Sequence, residues 1–308
     1  MKQLIKTIAW SYLCLQLACT GTIFGKSIKN KYGITRNGKI PQGQLEEIAQ
    51  EVIQTKSNMT QAQYEDLVAF PSHAQTDEEK LAILSAREIF IMVDRSGSMG
   101  LKDENPTGRR TWGNWNRWES ARVAAESISE LAISLDADNK VELIFWSGSG
   151  FGLKTKKKTM SRIDDISKMF KKYSPGGSTP LAEALHDVYK TRLKSLLTKN
   201  EPFTVLILTD GAPDNEHDVK SFFGTIIREN NLEQAGRETL AAFSFIRMGD
   251  DPNAIKFLEH LDDNLPRQLN VSVDIVDTKE DNFLFGTGKF ANHQGVGPLA
   301  VFWDAIFD

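Results

Sequence analysis

The chain has 308 residues, 40% hydrophobic and 25% charged, which is material for one large core plus an appendage and not the composition of a disordered protein. Its net charge of −4 hides an asymmetry: residues 1–40 hold seven Lys and Arg and no acid, whereas the other 268 hold 30 bases against 41 acids, a net of −11. An acidic body of this kind argues against nucleic acid as a partner.

Both cysteines, Cys14 and Cys19, fall in the first twenty residues, so nothing downstream forms a disulfide or a thiolate metal cluster. The N-terminus itself has Lys2 and Lys6, an uncharged run from Thr7 to Gly25, and then Lys26, Lys29 and Lys31. That is the shape of an export signal, and the 19-residue run is also close to what a membrane-spanning helix needs. Residues 1–25 are therefore read as a signal peptide or membrane anchor, with residues 7–25 as the membrane attachment. The chain is expected to be exported or anchored in the cell envelope, periplasm included; the alternative is an apolar element of a cytoplasmic protein. Leu17-Ala18-Cys19 is similar to a lipoprotein signal, but Gln16 stands where that signal wants an aliphatic residue.

Residues 26–87 read as a linker followed by short helices. From Lys26 to about Ile40 the chain is basic and aperiodic. Helical spacing then appears three times, in Leu45, Ile48 and Val52, in Tyr64, Leu67 and Val68, and in Leu81 and Leu84 behind an acidic opening, Asp77-Glu78-Glu79. These small helices are expected to pack on the main domain, residues 88–308.

That domain opens on Ile89-Phe90-Ile91-Met92-Val93, a continuous apolar run ending in Asp94. Similar runs recur at 141–146, 203–208, 240–246 and 271–276. Runs without alternation indicate strands buried on both faces. Between them, Trp118, Ala121, Ala125, Ile128, Ala132 and Leu135 make one helical stripe, and Leu181, Leu185, Val188, Arg192 and Leu196 make another behind Pro180. Further helices fit 161–173, 214–229, 254–261 and 298–307. Strand and helix alternating over some 220 residues predict an α/β fold, a doubly wound and mostly parallel sheet flanked by helices in three layers, with a short helical N-terminal extension. Ligands of such sheets sit beyond the carboxyl ends of the strands, where the strand order reverses.

The residues at those ends carry the chemistry. Asp94-Arg95-Ser96-Gly97-Ser98-Met99 puts a carboxylate and two hydroxyls on one tight turn, Thr179 follows the flexible Pro175-Gly176-Gly177-Ser178, and Asp210 directly follows an apolar run in Thr209-Asp210-Gly211. Between Met99 and the next helix lies a long polar, Gly-containing loop with Trp112 and Trp115, residues of a type favoured at interfaces. They are candidates for partner contact, or for a lid folded back on the domain. Lys154, Lys156, Lys157 and Lys158 read as a solvated edge strand. Other motifs fall short. Gly21 to Ser27 is one residue short of a phosphate loop, Ser147-Gly148-Ser149-Gly150 is not a nucleophile elbow, and the histidines at 73, 186, 217, 260 and 293 show no zinc spacing.

Asp-x-Ser-x-Ser after an apolar strand, then Gly-Gly-Ser-Thr-Pro-Leu, then Thr-Asp-Gly, resembles the von Willebrand factor A-type domain and its metal-ion-dependent adhesion site. The resemblance covers about residues 88–308. It is closer to bacterial stand-alone versions with Arg-Trp-Glu at the start of the first helix, here Arg117-Trp118-Glu119, and with the segments Phe257 to Asp263 and Asp274 to Thr278. It implies that Ser96, Ser98 and Thr179 supply hydroxyl oxygens to Mg²⁺, or to Mn²⁺ or Ca²⁺, that Asp94 and Asp210 bind directly or through water, and that one coordination position stays open. With neutral hydroxyls outnumbering carboxylates, such an ion accepts an Asp or Glu from a partner protein.

The function expected is thus a metal-dependent protein-binding module without enzymatic activity. Two other readings stay open. One is an adaptor subunit of a chaperone-like ATPase, because many bacterial A-type domain proteins work beside one and this chain has no nucleotide site of its own. The other is a Mg²⁺-dependent phosphohydrolase, against which Ser96 stands in the place where such enzymes resemble Asp-x-Asp and need a second acid.

Overall fold

The computed structural model describes residues 40–102, 115–135, 139–150, 152–290 and 296–307. The expected signal or anchor segment, most of the basic linker and Trp112 lie outside them. Among the described residues no helix is long and apolar enough to cross a membrane.

Six strands form one sheet in the order β3-β2-β1-β4-β5-β6. They are β1 (Glu88–Asp94), β2 (Val141–Ser149), β3 (Gly152–Met160), β4 (Phe203–Thr209), β5 (Ala241–Arg247) and β6 (Val276–Glu280). All neighbours run parallel except β3, which turns back antiparallel along β2. The chain winds outward from β1 to β3, then returns to lay β4 on the other flank of β1 and continues to β6. The order therefore reverses between β1 and β4, the place where doubly wound sheets carry their ligands.

The apolar runs are continuous because each central strand feeds two cores. Ile89, Ile91 and Val93 of β1 enter one cluster with Leu143, Phe145, Leu206 and Leu208, while Phe90 and Met92 enter the other with Ile144, Val205, Ile207 and Phe243. Among the described residues three α-helices precede the sheet: α1 (Gln42–Asn58), α2 (Gln61–Ala69) and α3 (Asp77–Leu84). Capping boxes fix two of their starts, Thr60 with Gln63 and Thr76 with Glu79. Leu45, Ile48, Val52, Leu81 and Leu84 belong to the first cluster. The same layer holds α4 (Arg117–Leu135), whose stripe from Trp118 to Leu135 is buried as its spacing predicts, and α5 (Ile163–Lys172).

The opposite layer holds α6 (Leu181–Val188), α7 (Lys194–Lys199), α8 (Glu216–Glu229) and α9 (Pro252–Leu269). Here the expected stripe through Arg192 and Leu196 is corrected. Residues Tyr189–Leu193 form a π-helical turn between α6 and α7, which advances the buried face by one residue. Leu193 and Leu197 are buried instead, and Arg192 faces outward to bond Glu142 at 2.8 Å. The helix expected at 254–261 runs on to Leu269, through Pro266, and stops where Asn270 turns left-handed at φ 53°.

A second correction concerns the last strand. The apolar run 271–276 is not the strand; β6 begins at Val276 and is polar, with sequence Val-Asp-Thr-Lys-Glu. Val273 and Ile275 are still buried, as the arm that brings the chain back from α9. An edge strand pairs on one side only, so its sequence need not be apolar throughout. The chain closes with α10 (Asp281–Phe285) and α11 (Pro298–Phe307) on the first layer. At the other edge, Lys154, Lys156 and Lys158 alternate outward along β3, and Lys157 pairs with Asp187 at 2.7 Å.

Candidate metal centre at the rim of the sheet

Asp94 is the last residue of β1 and is fully buried. Its Oδ1 accepts the backbone N–H of Ser96 at 2.7 Å, a local turn that an aspartate makes after a strand, and its Oδ2 accepts the hydroxyl of Thr209 at 2.7 Å from the end of β4. The turn goes on into a short 3₁₀ segment, Gly97–Gly100. There Ser96 and Ser98 share a hydroxyl hydrogen bond of 3.0 Å, and Ser98 donates to Asp210 Oδ1 at 2.9 Å. Asp94, Ser96, Ser98 and Asp210 are thus linked in one unbroken run of short polar contacts.

Thr179 arrives on the neighbouring loop. Gly97 donates to Gly177 O at 2.9 Å, Gly176 to Arg95 O at 2.8 Å, and Gly148 to Ser178 O at 3.0 Å. This approach is possible because two glycines meet. Gly177 has φ +101°, and a Cβ on it would stand 1.9 Å from the Gly148 carbonyl oxygen. The Arg95 guanidinium ties the same loops, reaching Ser147 Oγ at 2.8 Å and Ser174 O at 3.1 Å. Thr179 exchanges backbone–carboxylate and backbone–backbone bonds with Asp214, each 3.0 Å, while its hydroxyl makes no hydrogen bond among the described residues.

Two carboxylates buried together are costly. Burial first, and the charge of Asp210 second, push Asp94 up to about 7, against the lowering effect of its bonds from Ser96 and Thr209. Burial also raises Asp210, opposed by its bonds from Arg117 and Ser98. Arg117 Nη1 meets Asp210 Oδ2 at 2.7 Å. The sequence reading missed Arg117 as a site residue, although Arg117-Trp118-Glu119 had drawn attention at the start of α4. It missed Thr209 and Asp214 as well, since both bond to site residues through the fold alone.

Among the described residues no three or more His, Cys, Asp or Glu side chains gather as a metal cluster. A cation here would depend on hydroxyl oxygens as much as on carboxylates. The donor set fits a small hard ion in that sense: every candidate ligand atom is oxygen, and two candidates are acids raised by burial, Asp94 also by the charge of Asp210, which the Arg117 guanidinium partly offsets. Of the two tryptophans, Trp115 is half-buried against the first core cluster and donates its indole N–H to Ser120 at 2.7 Å, beside a bridge between Lys102 and Asn116 that closes the loop. Trp118 is buried against Phe145 and Phe170.

Solved structures similar to the chain include the VWA domain of SpRpn10, at 13% identity over 63% of this chain and 87% of that one, with a TM-score of 0.44. The manganese-loaded TRAP protein of Plasmodium vivax is similar at 14% identity over 65% and 70%, with a TM-score of 0.39. The PilB minor pilin of Streptococcus sanguinis is similar at 14% identity over 72% and 63%, with a TM-score of 0.43. No curated protein matches the chain. Residues 89–212, which run from β1 to the turn after Asp210 and so include all five rim residues, match the family model of the von Willebrand factor type A domain.

Proposed function

We propose that the chain is a protein-binding module whose rim holds a divalent cation of the Mg²⁺ class through Asp94, Ser96, Ser98, Thr179 and Asp210, and that the cation grips an Asp or Glu of a protein partner. The observation that carries this reading is the polar run from Asp94 through Ser96 and Ser98 to Asp210, which gathers oxygen donors from β1 and β4 at the point where the sheet order reverses. The cation would supply a positive centre for a partner's carboxylate. The chain's own part is to hold the donors. Asp94 fixes the turn through the Ser96 N–H, Asp210 orients Ser98, and the Gly148–Gly177 contact brings the Thr179 loop against both.

The same geometry weighs against phosphoryl transfer. The residue two after Asp94 is Ser96, whose hydroxyl is engaged with Ser98, and a serine does not move a proton at neutral pH as a second aspartate would. The test is Mn²⁺ binding followed by electron paramagnetic resonance, with partner capture on the immobilised chain in Mg²⁺ and in chelator. One Mn²⁺ site lost in Asp94→Ala, and captured protein released by chelator, are the expected results. Capture that is equal in Mg²⁺, in chelator and with Asp94→Ala would sink the reading.

A further inference from the structure

A cavity lies at the other end of the sheet, among the N-terminal ends of the strands. It encloses about 730 Å³ between α2, the residues leading into β1 and the turn before β5. Its floor includes Arg87, which is 2% exposed. Nε donates to Thr204 Oγ1 at 2.8 Å, Nη1 to Thr239 O at 2.7 Å, and Nη2 to Phe203 O. All three acceptors are neutral, and among the described residues no carboxylate pairs with this guanidinium. That sets it apart from Arg117 and Arg122, which pair with Asp210 and Glu126. A guanidinium has five N–H groups, so two of those on Arg87 are left without an acceptor among the described residues. Burial without a counter-charge pulls the group down to about 9.

The walls repeat the pattern. Arg237 is spent on neutral partners, Asn230 O at 3.0 Å, Leu197 O at 3.2 Å and the Asn200 side chain. Lys56 lies 5.0 Å over the Tyr64 ring. The acids on the lining, Glu65 and Glu88, are on exposed residues, and Glu65 accepts from Gln61 at 2.8 Å. Tyr64, Phe70 and Leu240 supply apolar wall, and Gly236 keeps it thin where it passes the Phe70 ring. One buried cation, Arg87, two part-exposed ones, Lys56 and Arg237, apolar rings at the sides and a volume within the range of small-molecule sites describe a pocket for an amphipathic anion.

We propose that this cavity is a second binding site, remote from the rim and independent of it, for a small organic anion. Its carboxylate, sulfonate or phosphate group would take the unspent N–H groups of Arg87, and its apolar body would lie against Tyr64 and Phe70. An anion placed there supplies the counter-charge that no described carboxylate provides.

The test uses 8-anilinonaphthalene-1-sulfonate as the probe and the uncharged N-phenyl-1-naphthylamine as its control, with the full chain followed by fluorescence. One saturable site is expected for the sulfonate, and binding of the neutral analogue at least tenfold weaker. Two variants locate the site. Arg87→Gln removes the charge, and Ala69→Trp fills the cavity from α2 while every bond of Arg87 stays in place; each is expected to weaken sulfonate binding at least tenfold. Thermal melts check that the variants are folded, and Ala69→Trp decides the matter if Arg87→Gln is not. Absence of a saturable site, equal binding of the neutral analogue, or unchanged binding in Ala69→Trp would each overturn the proposal.

Discussion

The two ends of β1 bury opposite charges. At its carboxyl end Asp94 lies with Asp210, and the Arg117 guanidinium bonds Asp210. Just before its amino end Arg87 is buried with no carboxylate partner among the described residues. Seven residues separate the two, about 23 Å along an extended strand, so neither relieves the other. Burying an ion costs several kcal/mol unless it is compensated, and a fold that does so at both poles of its sheet leaves two places where an ion of the other sign would stabilise it. The poles differ in how they are built. The rim is assembled from close backbone approaches between loops, whereas the opposite pole is assembled from side chains around a void.

The largest effect should come from breaking the rim's backbone approach. Gly177→Ala puts a Cβ 1.9 Å from the Gly148 carbonyl oxygen at a φ of +101°. Neither strand end can retreat without releasing the bonds of Gly97 and Gly148 to this loop. A loss of at least about 3 kcal/mol in urea denaturation is expected, together with loss of Mn²⁺ binding. A variant that keeps wild-type stability and metal binding would show that the loop contact is dispensable.

Arg87→Met comes next. It removes a buried cation but strands the carbonyls of Phe203 and Thr239 and the Thr204 hydroxyl, so a loss of about 2 kcal/mol is expected by the same denaturation measurement. A more stable variant would mean that the uncompensated charge outweighs its three hydrogen bonds.

These two residues also mark what the sequence discloses. Asp94, Ser96 and Ser98 were legible because they share one turn, and Asp210 because it ends an apolar run. Arg117 and Thr209 were not, because they reach their carboxylates across 93 and 115 residues, pairings that depend on β4 lying beside β1. Arg87 reads as an ordinary residue ahead of a strand, and only the packing of α2 and of the turn before β5 buries it. The doubly wound sheet followed from the continuous apolar runs, yet the polar edge strand β6 did not, since one-sided pairing sets no hydrophobic pattern. The π turn at Tyr189–Leu193 escaped for a related reason: a single extra residue in a turn leaves no mark on composition and shifts every later position.

The acid pole can be tested by titration. With Asp94 near 7 in the folded protein against 3.8 unfolded, the folded state holds the extra proton between those values. Stability of the metal-free protein is therefore full below about pH 4 for this group, falls as pH rises through 4 to 7, and is flat above. The shift is worth up to a few kcal/mol on the usual conversion. Asp94→Asn keeps an oxygen for the Ser96 N–H and offers an N–H to Thr209, but has no charge to bury. In chelator at pH 7.5 the variant should melt above wild type and should lack much of the slope between pH 4 and 7; with Mg²⁺ the order should reverse. Equal melting of the two proteins in chelator would show that the buried pair carries no penalty.

The smallest effect brings the comparison back to construction. Gly236, at the opposite pole, also has a positive φ, +80°, and a Cβ there would meet Phe70 Cζ at 3.0 Å. The obstacle is the far edge of a side-chain ring that borders a cavity, not a carbonyl locked between strand ends. Phe70 can give way by turning into the void, so Gly236→Ala should cost only about 1 kcal/mol, chiefly the left-handed backbone. If the two alanine variants cost the same in parallel urea titrations, the side-chain-built pole is as rigid as the backbone-built rim, and its cavity cannot adapt to an occupant in the way its soft wall suggests.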